Sequence, residues 1–125
     1  CGGDRDKTKR PIMGRIAAQN ADFCVVTSDN PRTEDPDAII ADILEGMKGS
    51  RTPREVISNR PEAIRWALDN HRAGDIILLA GKGHETYQVL KDRVIDFDDR
   101  VEARKVLRDF GYAPKTQSRD GGGRP

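Results

Sequence analysis

The chain has 125 residues, enough for one domain with a modest core. Its 22 Lys and Arg against 21 Asp and Glu leave a formal net charge of +1, which gives no electrostatic footprint for nucleic acid. No run approaches the ~18 continuous apolar residues of a membrane span, no signal peptide is visible, and Cys1 and Cys24 lack metal-ligand spacing. Cys24 lies in an apolar run and reads as a reduced, buried residue, which points to the cytoplasm.

The chain opens CGGDRD, with no initiator methionine. A Gly-Gly turn with nothing before it reads as a break just after a strand. On that reading the chain is a fragment, and its sheet lacks a first strand through truncation, leaving an exposed edge or cavity. Residues 1 to 9 form a polar loop. Pro11 suits the first turn of a helix, and Ile12, Met13, Ile16 and Ala17 follow at helical spacing to an end near Asn20. Residues 23 to 27, FCVVT, read as a strand. Asp35 can cap a helix with Pro36 at its first position. Ile39, Ile40, Ile43, Leu44 and Met47 form its apolar stripe, and Gly49 closes it.

Residues 54 to 58 read as a short strand around Val56 and Ile57. Asn59 caps another helix, with Glu62 at capping-box spacing and Ala63, Ile64, Ala67 and Leu68 facing inward. Residues 76 to 80, IILLA, are apolar on both faces, as an interior parallel strand should be. TYQVL and RVIDF alternate around Lys91 and Asp92 as a hairpin. Asp98 starts a last helix, with Ala103, Val106, Leu107 and Phe110 inside and Gly111 as its stop. The sequence predicts an α/β domain over 1–112, with a Rossmann-like, mostly parallel sheet flanked by helices and an antiparallel C-terminal hairpin. Residues 113–125 read as a disordered tail.

Two loops, TSDNPR and GKGHE, leave the carboxyl ends of predicted strands, where ligands bind on such sheets. In GKGHE, Gly81 and Gly83 permit close backbone approach, and Lys82, His84 and Glu85 supply a cation, a possible base and an anion. The loop is neither a Walker A loop nor a dinucleotide fingerprint, since it opens a strand rather than a helix. Taken alone it reads equally well as a solvated turn. His84 reads as a hydrogen-bonded structural residue rather than a base or a metal ligand.

In DNPR, Pro31 stiffens the loop and presents Asn30 and Arg32. Arg32 offers a planar fork for a carboxylate or phosphate. The plainer reading pairs it with Glu34, Asp35 or Asp37 on the surface, worth ~0–1 kcal/mol. Of the basic residues Arg5, Lys7, Lys9 and Arg10, most read as solvated, with Arg5 directed into the cleft. Arginines for a carboxylate and Glu85 for an ammonium suit an amino acid better than a nucleotide.

Together, CGGDRDKTKRPIMG at 1–14, VVTSDNPRTEDP at 25–36 and LLAGKGHETYQ at 78–88 resemble the C-terminal domain of a Mur ligase, over residues 1 to 112. The resemblance implies an ATP-dependent amide-bond ligase of peptidoglycan biosynthesis that adds meso-diaminopimelate to UDP-N-acetylmuramoyl-L-alanyl-D-glutamate. It further implies that Arg5, Asp29, Asn30, Pro31, Arg32, Gly81 and Glu85 contact meso-diaminopimelate. ATP, magnesium and the UDP-N-acetylmuramoyl-dipeptide belong, by the same resemblance, to upstream domains of the chain. No catalytic residue or metal ligand is assigned here, and the chain alone is expected to be inactive. Two other readings are a free-standing nucleotide- or phosphate-binding α/β module and a non-catalytic interaction domain. Neither nucleic acid nor membrane is an expected partner.

Overall fold

Helix caps and backbone breakers in the sequence set most of the element boundaries. The computed structural model describes residues 1–82 and 84–111. Gly83 of the glycine loop and the expected tail at 113–125 lie outside the described residues. In chain order the elements are α1 (Lys9–Asn20), β1 (Cys24–Val26), α2 (Pro36–Met47), β2 (Arg54–Val56), α3 (Arg60–Asn70), β3 (Tyr87–Val89), β4 (Val94–Asp96) and α4 (Asp99–Asp109). Asp35, Asn59 and Asp98 each cap the helix that follows, accepting from the backbone N–H of Asp37, Glu62 and Arg100. Each satisfies one of the donors that a helix start leaves open.

The α1–α2 pair packs through glycine rather than through a large apolar stripe on α1. A Cβ on Gly14 would stand 2.1 Å from the Ile43 carbonyl oxygen, and one on Gly46 1.7 Å from that of Pro11. The two backbones therefore touch at two points. Arg10, Gly14 and Ala18 are the buried residues of α1, while Ile12, Met13 and Ile16 stay about half exposed. On α2 the stripe Ile39, Ile40, Ile43 and Met47 is buried. It packs with Ala18, Cys24 and Val26 into one core, and Ile64, Phe97 and Val106 centre a second.

Among the described residues β1 pairs parallel with β2, with Val25 opposite Glu55. Separately, β3 pairs antiparallel with β4, and Leu90 N–H donates to the Arg93 carbonyl across the turn. The α/β class and the hairpin thus hold, but the strands form two small sheets rather than one.

The expected interior strand at 76–80 does not form. The segment has no strand partner and takes no backbone–backbone hydrogen bond among the described residues. Its side chains alternate all the same: Leu79 packs on the second core, whereas Ile76 and Leu78 are 94% and 83% exposed. An apolar run specifies burial, but a strand also needs a neighbouring edge for its N–H and C=O groups. No helix among the described residues is long and apolar enough to cross a membrane.

Candidate functional site

The loop after β1 is held between two other segments by its own backbone. Gly3 N–H donates to the Asn30 carbonyl at 2.7 Å, and Arg32 N–H donates to the Val89 carbonyl at 3.0 Å. A Cβ on Gly3 would stand 1.8 Å from the Pro31 carbonyl oxygen, so only glycine fits there. Asp4 and Arg32 both adopt positive φ, 55° and 52°. Left-handed backbone at residues other than glycine costs free energy and gathers at functional sites.

Four polar side chains, those of Asp4, Arg10, Thr33 and Glu34, lock the N-terminal loop onto this segment. Thr33 donates from its hydroxyl to Asp4 Oδ1 at 2.6 Å, and Asp4 N–H donates to Glu34 Oε2 at 2.6 Å. Arg10 is 2% exposed and donates to Glu34 through both terminal nitrogens, at 3.1 and 2.8 Å. It also donates to Asp42 at 2.9 Å and to the Gly2 carbonyl at 3.2 Å. The Arg10 fork, followed by the Asp4 N–H, holds the Glu34 carboxyl down at about 2.

The glycine loop meets DNPR at Asn30. Asn30 is 2% exposed, and its Oδ1 accepts from Lys82 Nζ at 2.9 Å and from Val89 N–H at 3.0 Å. Its Nδ2 donates to Glu85 Oε1 at 3.4 Å. Lys82 Nζ also donates to the Tyr87 carbonyl at 2.7 Å and lies 3.3 Å from Asp29 Oδ1. Gly81 has a φ of 109°, and a Cβ on it would meet Asp29 Oδ2 at 3.7 Å. Gln88 donates to the Asp29 carbonyl at 2.7 Å.

The residues singled out in the sequence are therefore gathered. Arg32 Nη1 donates to the Gly3 carbonyl at 3.0 Å and lies 3.4 Å from the Asn30 carbonyl. It makes no ion pair with Glu34, Asp35 or Asp37, so the surface-pair reading of this arginine is overturned. Glu34 belongs to Arg10 instead. Arg5 is exposed; around a Cβ position on Gly2, Arg32 Nη1 lies at 2.7 Å and Arg5 Cγ at 3.5 Å. Both arginines thus flank Gly2. Pro31 is buried between the N-terminal loop and the rest of its own loop.

His84 is exposed and takes no side-chain hydrogen bond among the described residues. The structural role expected for it is not seen, because the loop turns this side chain outward while Lys82 goes inward.

Sequence reading passed over Arg60. It is 5% exposed, pairs two-pronged with Asp99 at 2.7 Å through both Nε and Nη2, and donates to the Ser28 carbonyl at 2.9 Å and the Ala80 carbonyl at 3.2 Å. It ties the exits of β1 and of 76–80 to the start of α4. A signal was present: Arg60 occupies the first position of α3, where the helix dipole disfavours a cation. Arg10, in the first turn of α1, carries the same signal.

The electrostatics sort into two halves. Asp29 and Glu85 place two carboxylates around one ammonium, that of Lys82, at 3.3 and 3.9 Å. That half keeps one negative charge in excess. On the other side of Asn30, Arg32 and Arg5 carry no carboxylate partner among the described residues.

The glycine loop does not fit a phosphate of ATP, and no group of three or more His, Cys, Asp or Glu that could hold a metal ion stands among the described residues. Lys82 donates to Asn30 Oδ1 and the Tyr87 carbonyl, faces Asp29 at 3.3 Å and has none of its side chain exposed, so it does not reach out toward a phosphate. The loop runs into β3, so it lacks the helix N-terminus that a phosphate cradle uses.

Comparison with known proteins identifies the family. Residues 1–83 match the family described as Mur ligase, glutamate ligase domain. The UDP-N-acetylmuramoyl-L-alanyl-D-glutamate–2,6-diaminopimelate ligase of Solibacter usitatus is 58% identical over 112 residues, 90% of this chain and 23% of that protein. Its counterpart in Listeria innocua is 61% identical over 107 residues, 86% of this chain and 22% of that protein. A solved structure of a ligase of the same name superposes with a TM-score of 0.84 at 44% identity, covering 90% of this chain and 23% of that one. The chain spans less than a quarter of the length of the curated relatives it matches.

Proposed function

The chain belongs to the Mur ligase, glutamate ligase domain family, and from that premise we propose that residues 1–112 bind and position the amino acid in an ATP-dependent amide-bond ligase. The amino acid is meso-diaminopimelate, and the acceptor is UDP-N-acetylmuramoyl-L-alanyl-D-glutamate, the pair in the names of the relatives. The reaction belongs to peptidoglycan synthesis in the cytoplasm. ATP and magnesium are held by other domains of the longer protein.

One observation carries this reading: a single buried amide, Asn30, lies between an arginine pair and a carboxylate pair. The Asn30 backbone carbonyl is 3.4 Å from Arg32 Nη1, and its side-chain Nδ2 is 3.4 Å from Glu85 Oε1. Arg32 and Arg5 receive a carboxylate, and Glu85 with Asp29 receives an ammonium. Asn30, Pro31 and Gly81 hold these groups at fixed separation. The work of such a site is orientation, which fixes where the attacking amine lies and removes the entropic cost of finding it. No proton transfer is assigned to a side chain of this domain.

Arg32 also supplies specificity. Diaminopimelate carries a second amino-carboxylate where lysine carries a bare amine. An arginine fork left without its carboxylate in a closed site costs binding, and such sites reject the lacking analogue by ~10⁴ or more.

Phosphate release by the full-length protein tests the proposal, with ATP, the UDP-dipeptide, and diaminopimelate, lysine or no amino acid. Turnover that requires diaminopimelate is expected. Turnover with lysine alone, or turnover without an amino acid, contradicts it.

A further inference from the structure

Lys82 is the most enclosed cation of the site, with none of its side chain exposed. Its ammonium touches groups from separate stretches: Asn30 Oδ1 at 2.9 Å, the Tyr87 carbonyl at 2.7 Å, and the Asp29 carboxylate at 3.3 Å. It also lies 6.0 Å from the centre of the Tyr87 ring and 5.8 Å from that of Phe97. Glu85 Oε1 lies 3.9 Å away and is shared with Asn30 Nδ2. Lys82 thus makes two hydrogen bonds and an ion pair inside the protein, with its side chain fully buried.

We infer that Lys82 is a positioning residue for the amino acid: it sets Asn30 and Glu85 and never touches the substrate itself. The inference rests on the reading under Proposed function. Asn30 has only one amide orientation available. Its Oδ1 must face both Lys82 and Val89 N–H, so Nδ2 is turned to Glu85. Oε1 of Glu85 is then occupied and Oε2 is left for the ammonium of the ligand. Without the lysine, the two carboxylates that lie 3.3 and 3.9 Å from its ammonium lose their shared cation, and like charges brought near one another separate or take up a proton. Asn30 is then free to flip. The cation also keeps the excess charge of this half at one, the amount that one ligand ammonium neutralises.

The test uses the full-length protein with Lys82→Met, which keeps the stem and removes the charge. Ile43→Val, one methylene less in the first core, serves as a variant that loosens the fold at a side chain that is not part of the site. KM is measured for ATP, for the UDP-dipeptide and for whichever amino acid the wild type couples. Lys82→Met is expected to raise KM for the amino acid on the order of tenfold or more, the scale of losing a charge-assisted hydrogen bond, with the other two within about twofold. Ile43→Val is expected to shift none of the three selectively. An unchanged amino-acid KM in Lys82→Met, or a parallel rise in all three, overturns the inference.

A second measurement needs no variant. In a crystal structure of the wild type with its amino acid, Glu85 should contact the ligand amine while Lys82 Nζ stays on Asn30 and Tyr87. Direct contact between Lys82 and the ligand overturns the positioning role. If the wild type couples lysine instead, the reading of the substrate fails, yet the KM comparison is still made with lysine. If it couples no amino acid, both fail.

Discussion

Gly3 and Pro31 meet backbone to backbone: a Cβ on Gly3 would lie 1.8 Å from the Pro31 carbonyl oxygen, and the Gly3 N–H donates to Asn30 beside it at 2.7 Å. The N-terminal loop is thereby part of the site rather than a leader to α1. Gly3→Ala must push the two loops apart, an overpacking cost of about 1–3 kcal/mol. Gly2→Ala meets only the end of the Arg32 side chain, at 2.7 Å, which can swing aside. Thermal melts should therefore show a clear loss for Gly3→Ala and a small one for Gly2→Ala. Both should raise the amino-acid KM, since both disturb Arg32.

The Arg60–Asp99 pair is buried, with each side chain 5% exposed. Asp99→Ala strands a buried guanidinium and is expected to cost ~3–5 kcal/mol. Replacing both residues with leucine leaves no orphaned charge and should cost less than that single change. Denaturant titration of the two variants measures the difference.

Acid should loosen the lock between the N-terminal loop and DNPR. Glu34 is held at about 2 against an ordinary 4.5, because Arg10 and the Asp4 N–H favour its charged form. A depressed carboxylate contributes stability that is complete above its unfolded value and is lost as pH falls toward the folded one. Melting temperature should therefore fall between pH 4.5 and about 2. Glu34→Gln should flatten that fall, although Asp98, also held at about 2 by Arg100, keeps part of it.

How much of this was legible in the sequence differs by element. Helix starts were, because Asp35, Asn59 and Asp98 act locally through their own side chains. The hairpin was, because its partners are neighbours in sequence. The strand at 76–80 was not, because apolar content does not reveal whether an edge is available to pair with. Ile12, Met13 and Ile16 were misleading, because Gly14 and Gly46 let backbones rather than side chains form the helix contact. Within the site, the motif residues were legible by chemistry. Arg10, Arg60 and Lys82 were not, because a charged residue is read as solvated until its partners from distant stretches are seen around it.

The central claim is that Arg32 answers a carboxylate of diaminopimelate. The most direct test is the ratio of kcat/KM for diaminopimelate over L-lysine in the full-length protein, before and after Arg32→Ala. A strong preference for diaminopimelate is expected, falling by at least ~10²-fold in the variant, consistent with losing a buried polar contact. A ratio unchanged by the substitution would contradict it.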